Sequence, residues 1–395
     1  MLSRKAIIGV FVALTLTVGG AAACSSSSKS SSSGGGGGGG SGTTAGGGGG
    51  GGGGSAQAQA NIEALLKPPT SINITQKLTK KPPTGKKICI TQSSEPVTLE
   101  TNKGFNDAAA TLGWTVSTVQ EGTGPEDPAK ALGQCIDQKP DAIFISGQTL
   151  DTMRAQVDRA KAANIPVFQS DSGEPVAKDG SIYVMSLDSF QQTGAWGKMV
   201  ADYIASAGGG SKHTLVVDLS VYPILHAFST NVVSELKAVS PSTKTTLQDT
   251  QISDLIGGKI PGSVVSAIQR NPDIDWVVLC LGDMATGLKA ALRGAQLGSK
   301  VKIGGESASI ANITALKNKD EDVWTGFAAK IHGWRRIDAA ARVFNGESLD
   351  PNNNALLPTQ LLTQENVSSA PIDTDGYYLG VPDYKDQFLA LWLMK

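Results

Sequence analysis

Short, continuous apolar runs alternate with amphipathic stretches along most of this chain, and that alternation constrains its fold more than any other feature. Ile88-Cys89-Ile90 is such a run, followed by polar Thr91-Gln92-Ser93-Ser94. A helical stripe of Phe105, Ala108, Ala109 and Leu112 comes next and ends at Gly113, after which Trp114-Thr115-Val116 is again extended. The pattern then predicts helices over 126–138 and 152–163, with strands over 141–146, 166–169 and 182–185. A long helix over 190–207 ends in Gly208-Gly209-Gly210, and a second series begins. Its strands are expected at 215–217, 245–247, 276–281, 301–303 and 323–327, with helices at 226–239, 263–270, 285–295, 310–317 and 331–344. Strands without polar alternation are buried on both faces, as in parallel sheets covered by helices. Two such series predict an α/β protein of two doubly wound parallel-sheet lobes.

Composition narrows the function. The 395 residues carry 34 Lys+Arg against 35 Asp+Glu, a net charge of −1, which offers no electrostatic footprint for nucleic acid or an anionic membrane surface. Charged residues are 17%, too few for a charge-driven disordered chain. Of 48 glycines, 17 fall between Gly34 and Gly54, and from Ala60 onward the composition is that of an ordinary globular protein.

The first residues read as an export signal. Arg4 and Lys5 precede an apolar run over 6–18, and Gly19-Gly20-Ala21-Ala22-Ala23-Cys24 closes it. Thirteen residues are too few to span a bilayer, which needs about 20. Small residues running into a cysteine resemble a bacterial lipobox, with Ala21 where that pattern prefers Leu. This implies a signal peptide over 1–23, a lipidated Cys24 and anchoring by acyl chains. A Gly/Ser-rich tether over 24–60 is expected to be flexible coil. Cys89, Cys135 and Cys280 sit among apolar neighbours and read as buried free thiols. No spacing suggests a metal, and no cofactor is expected.

Ligands of open parallel sheets bind beyond the carboxyl ends of the strands. That rule selects Ser93, Ser94, Glu95, Gln120, Glu121, Ser146, Gln148, Asp171 and Ser172 in the first lobe. In the second it selects Asp218, Ser220, Tyr222, Asp283, Glu306 and Ser307. Nearly all carry hydrogen-bonding side chains, suited to a polar solute. His226 and Thr98 lie close to these loops, and Phe327 lies where the chain is expected to cross between lobes. Asp151 and Asp254 read as caps or turns. Trp114 and Trp276 read as core, while Trp196, Trp324 and Trp334 are weaker candidates for ligand stacking. Only three histidines are present, and no Gly-x-Ser-x-Gly, His-Glu-x-x-His or Walker pattern accompanies them, so an enzyme is not expected.

The chain resembles the type I periplasmic solute-binding proteins of ABC importers, the ribose-binding-like group, over about residues 86–367. The carriers are the loop from Ile88 to Pro96, Gly104-Phe105, Leu112-Gly113-Trp114 and Pro140-Asp141-Ala142-Ile143. The segment from Asn164 to Asp171 and Gly282-Asp283-Met284-Ala285-Thr286-Gly287 complete the set. The resemblance implies lobes joined by a three-crossing hinge: lobe 1 over 86–187 and 328–350, lobe 2 over 188–327 and 351–367. A C-terminal extension over 368–395 remains, whose apolar end is expected to dock on a lobe. Val97 and Thr98 stand where the group's sugar binders carry an aromatic pair, and Asp171-Ser172 replaces an Asp-Arg. The arginine that opens the second lobe's first helix falls near His226. An acidic site of Asp171, Asp283 and Glu306 without an arginine would favour a cationic or less hydroxylated solute.

The implied function is capture of a small polar ligand, a sugar or a sugar-like molecule, by Ser93, Ser94, Glu95, Thr98, Asp171, Ser172, Tyr222, His226, Asp283, Glu306 and Phe327. A monomer held on the outer face of the bacterial cell membrane would deliver it to an ABC permease in the same membrane. The alternatives are a sensing subunit for a membrane kinase or chemoreceptor, or a binder of a cationic or aromatic solute. An effector domain of a transcription regulator conflicts with the export signal, and an extracytoplasmic hydrolase lacks a nucleophile and base.

Overall fold

A computed structural model of the chain describes residues 52–122, 124–185 and 190–395. The predicted signal peptide, Cys24 and most of the tether lie outside the described residues. The tether's last residues do not: α1 (Gly52–Glu63) is a helix, not the expected coil. The alternating Ala and Gln after the glycine tract are helix formers. Ala58 and Ile62 bury completely, and Asn61 Nδ2 donates to Asp202 Oδ2 at 3.0 Å.

The first series gives β1 (Lys87–Gln92), α2 (Pro96–Thr111), β2 (Thr115–Gln120), α3 (Asp127–Asp137), β3 (Ala142–Ser146), α4 (Arg154–Ala162), β4 (Val167–Ser170), β5 (Ala177–Asp179) and β6 (Ile182–Val184). These strands form one sheet in the order β2-β1-β3-β4-β6-β5, parallel except for β5, a short edge strand the sequence pattern missed. The second gives α5 (Phe190–Ala205), β7 (His213–Asp218), α6 (Pro223–Val239), β8 (Lys244–Asp249), α7 (Ile252–Ile256), α8 (Ile260–Arg270), β9 (Trp276–Leu279), α9 (Leu288–Gly294), β10 (Lys302–Gly305), α10 (Ile310–Lys317) and β11 (Val323–Thr325). The chain then returns through α11 (Ala329–Asn345) and α12 (Asp350–Asn353) before β12 (Leu361–Thr363) joins the second sheet, and α13 (Tyr384–Leu391) closes the chain. That sheet runs β12-β11-β10-β9-β7-β8, parallel except for β12. The result is two α/β lobes of six strands each; after the second series the chain returns to lobe 1 at α11, rejoins the second sheet at β12 and ends against α11 through α13.

Helix α11 packs on α2 at two glycines. A Cβ on Gly104 would lie 2.4 Å from the Lys330 carbonyl oxygen, and one on Gly333 2.3 Å from the Phe105 nitrogen. Any side chain at either point would push α11 off lobe 1. The apolar C-terminal end docks where α11 is exposed otherwise: Trp392 stacks on Trp334 with centroids 5.2 Å apart, and its Nε1 donates to Asp338 Oδ1 at 3.0 Å.

The cysteine expectation needs correction. Cys89 on β1 and Cys135 on α3 form a disulfide, because α3 lies over β1 and brings their Cα atoms to 5.6 Å. Cys280 is free and buried, and burial raises its pKa well above the usual thiol value.

Candidate functional site

Asp171 stands at the carboxyl end of β4, in a left-handed conformation with φ 61°. Its buried carboxylate accepts hydrogen bonds from Ser170 Oγ beside it and from Ser146 Oγ at the end of β3. Two residues of α11, one turn apart and so on one helix face, complete its surroundings. Arg336 forms an ion pair with Oδ2, and His332 Nε2 lies 3.0 Å from Oδ1, close but oblique for a hydrogen bond. Burial opposes ionisation of Asp171, yet His332 and Arg336 overcome it and hold the carboxyl well below the usual carboxylate range. For His332 burial outweighs the attraction of Asp171, and its pKa falls below the ordinary histidine value. The expected acidic site lacking an arginine is therefore corrected at Asp171, where Arg336 supplies the positive charge from a helix read only as an amphipathic one.

The other carboxylates gather elsewhere. Glu95 sits half-buried at the residue preceding α2. Burial, and then the Glu95 charge, raise the pKa values of Asp283 and Tyr222 in lobe 2. In lobe 1, burial and then Glu95 also raise Glu121. Glu95 thus acts on both lobes at once. Ser93 Oγ donates to Thr98 Oγ1 at 3.2 Å in the same loop, and Ser94 is exposed beside it.

A small cavity of about 20 Å³ lies between Pro96 and Val97 of lobe 1 and Leu281, Asp283 and Ser307 to Ser309 of lobe 2. Phe327, on the stretch joining β11 to α11, Ala329 at the start of α11, and Tyr377, from the C-terminal extension, complete its lining. Phe327 meets Trp196 and His332 edge-on, at centroid distances of 6.0 and 5.5 Å.

The remaining candidates are distributed around this centre. Ser172 is buried, and its Oγ accepts from the Glu174 backbone N–H at 3.2 Å. His226 Nδ1 lies 2.5 Å from Asp218 Oδ2, which binds it to the end of β7. Glu306 is buried at the end of β10, near enough to Cys280 to contribute, after burial and Asp218, to its raised pKa. Trp196, Trp324 and Trp334 are core residues. Among the described residues, Glu100, Asp373 and Asp375 have the spacing to hold a cation, but Lys330 already lies 3.2, 2.6 and 3.7 Å from them.

Two doubly wound sheets whose strand ends face a shared cleft define a narrow set of proteins, and residues 88–348 match the family described as the periplasmic binding protein domain. The chain belongs to that family. Its members bind solutes; they are not enzymes. No curated protein sequence matches this binding protein. Among solved structures it is similar to an ABC transporter solute-binding protein from Agrobacterium vitis bound with α-D-tagatopyranose, at 19% identity and a TM-score of 0.62. That likeness covers 74% of this chain and 99% of the other. A 5-methylthioribose transporter solute-binding protein from Thermotoga lettingae, with its ligand, is 17% identical with a TM-score of 0.62, over 80% of this chain and 95% of the other. The fructose-binding periplasmic domain of a hybrid two-component system is 18% identical with a TM-score of 0.60, over 72% and 92%. Among the described residues no helix is long and apolar enough to cross a membrane.

Proposed function

We propose that this binding protein is exported, anchored through Cys24, and captures a neutral sugar or polyol between its lobes for an ABC importer. The observation that carries the reading is that Pro96 and Val97 of lobe 1 face Asp283 and Ser307 of lobe 2 beside Phe327; the void of about 20 Å³ between them holds no more than a water, so the solute enters with the lobes further apart. A ligand touching residues on both sides binds the closed form better than the open one and shifts the equilibrium towards it. On this reading 86–187 with 328–350 close against 188–327 with 351–367, and the closed monomer docks on the permease. Sugars bound to the similar Agrobacterium and Thermotoga proteins support the ligand class. The Cys89–Cys135 disulfide supports export, since such bonds persist in oxidising compartments.

A second reading, a cationic solute, draws on Glu95, whose charge, after burial, raises the pKa values of Glu121 in the same lobe and of Asp283 across the cleft. Titration calorimetry separates the two. With D-tagatose, D-allose and spermidine offered in turn, heat from a sugar and none from spermidine is the expected result. Binding of spermidine alone would replace the sugar reading with the cationic one.

A further inference from the structure

Residues after 348 lie beyond the family match, yet part of them reaches the cleft. Between β12 and α13 the chain makes a tight hairpin: Ile372 bridges Tyr378, Leu379 N–H donates to the Pro371 carbonyl at 2.7 Å, and Asp373 N–H donates to the Tyr377 carbonyl at 2.9 Å. The Asp373 carboxylate ties the turn from within, accepting from the backbone N–H groups of Asp375 and Tyr377 at 2.9 Å each.

The hairpin is fastened to lobe 1 by charge. Lys330 Nζ, at the start of α11, lies 2.6 Å from Asp373 and 3.2 Å from buried Glu100, and Lys103 bridges Glu100 and Asp375 at 2.9 and 3.5 Å. It is also locked to the crossing between lobes. Tyr378 is buried against Gly326, where a Cβ would come within 2.7 Å of its ring. Its tip reaches the other lobe: a Cβ on Gly376 would lie 3.1 Å from Ile310 Cγ2, at the start of α10. Tyr377 then lines the cavity opposite Asp283 and the Ser307 to Ser309 loop, with Lys103 Nζ 5.7 Å from its ring centroid.

We propose that hairpin 371–379 is a wall of the ligand cleft, and that Tyr377 contacts the ligand and sets which neutral sugar or polyol is accepted. The proposal rests on the sugar reading above. It supplies an aromatic ring to a cleft whose first loop carries Val97 and Thr98. Sugar rings present apolar C–H faces that pack on such a ring, so the contact selects by ring shape and hydroxyl arrangement.

Two measurements on the full chain test this. The first needs no ligand: a photoreactive phenylalanine analogue in place of Tyr377 is expected to cross-link to the Ser307 to Ser309 loop of lobe 2, which lines the same cavity. Cross-links confined to lobe 1 would overturn the wall. The second titrates D-tagatose, D-allose, allitol and D-ribose into the wild type, Tyr377→Ala and Tyr377→Phe. Tyr377→Ala is expected to weaken the best ligand about tenfold or more and to reorder the panel, with Tyr377→Phe restoring the wild-type order. Wild-type affinities in Tyr377→Ala, to within about twofold, would overturn the assignment of Tyr377. Cross-linking to the Ser307 to Ser309 loop, together with a wild type that binds none of the four, supports the wall and contradicts the sugar reading instead.

Discussion

Arg336 on α11 holds the carboxylate of Asp171, 165 residues earlier in the chain, so an element that enters lobe 1 after the second crossing neutralises the loop at the end of β4. Both side chains are at least nine-tenths buried. Removing the arginine leaves a buried carboxylate uncompensated, a loss of about 3–5 kcal/mol near neutral pH. Arg336→Met is expected to show this in urea unfolding, and Asp171→Asn in the same chain is expected to restore part of it. The stability Asp171 brings is present above the unfolded carboxylate value of about 3.9 and is lost as pH falls through its lower native value. The gap between wild type and Arg336→Met should therefore close in acid. Additive losses in the double variant would mean the two groups do not interact.

Glu321 gives a pH dependence of opposite sign. Burial pushes its pKa up to about 7, against hydrogen bonds from Asn312 Nδ2 and Trp324 Nε1 to Oε2. The folded protein holds a proton that the unfolded chain would release from the ordinary value of 4.5 upward. Its contribution is complete below 4.5 and is lost as pH rises through about 7. Glu321→Gln keeps an oxygen for both donors and removes the titration. Its stability relative to wild type is expected to rise between about pH 5 and 8 in thermal unfolding. An unchanged difference over that range contradicts the assignment.

The Cys89–Cys135 disulfide closes a loop with a sequence separation of 46, and the chain-entropy rule gives about 4 kcal/mol for that length. Cys135→Ser is expected to unfold at a clearly lower urea concentration than wild type. Adding a reductant should then lower the wild-type midpoint and leave the variant's in place. A wild type indifferent to reduction contradicts the pairing.

The C-terminal helix is part of the lobe-1 core. Trp392 is fully buried, stacks on Trp334 and donates to Asp338, which also accepts from Arg342 Nε at 2.8 Å and Asn352 Nδ2 at 2.9 Å. Trp392→Ala is expected to cost about 3–5 kcal/mol, since it opens a cavity and removes a donor from a buried carboxylate. Circular dichroism melting measures it; a midpoint within about a degree of wild type would show that the tail is dispensable.

The parallel strands and their helices were legible in the sequence because each buries an apolar run, and burial is written in local periodicity. The loops after those strands followed from the same pattern, which is why Asp171, Asp283 and Glu95 stand out from the sequence alone. What α11 does was not legible. Arg335, Arg336, Asp338 and Arg342 are all buried, so the helix carries charge towards its neighbours on several faces, and periodicity reports only an ordinary amphipathic helix. The concentration of arginine and tryptophan in Trp334-Arg335-Arg336-Ile337-Asp338 was the available signal. The disulfide was hidden for a similar reason: pairing depends on how α3 lies over β1, which spacing alone does not encode. Tyr377 stood in a polar, turn-rich stretch whose tertiary position no local pattern gives.

The claim at the centre of this account is that a sugar binds between the lobes and holds them together. Spin labels on Asp158→Cys in α4 and Lys317→Cys in α10, both exposed, report the distance from one lobe to the other. Saturation with the sugar that gives the largest heat in calorimetry is predicted to collapse a broad distance distribution to a single shorter one. A sugar that releases heat and leaves the distribution unchanged would be bound to one lobe alone, and the account would be wrong.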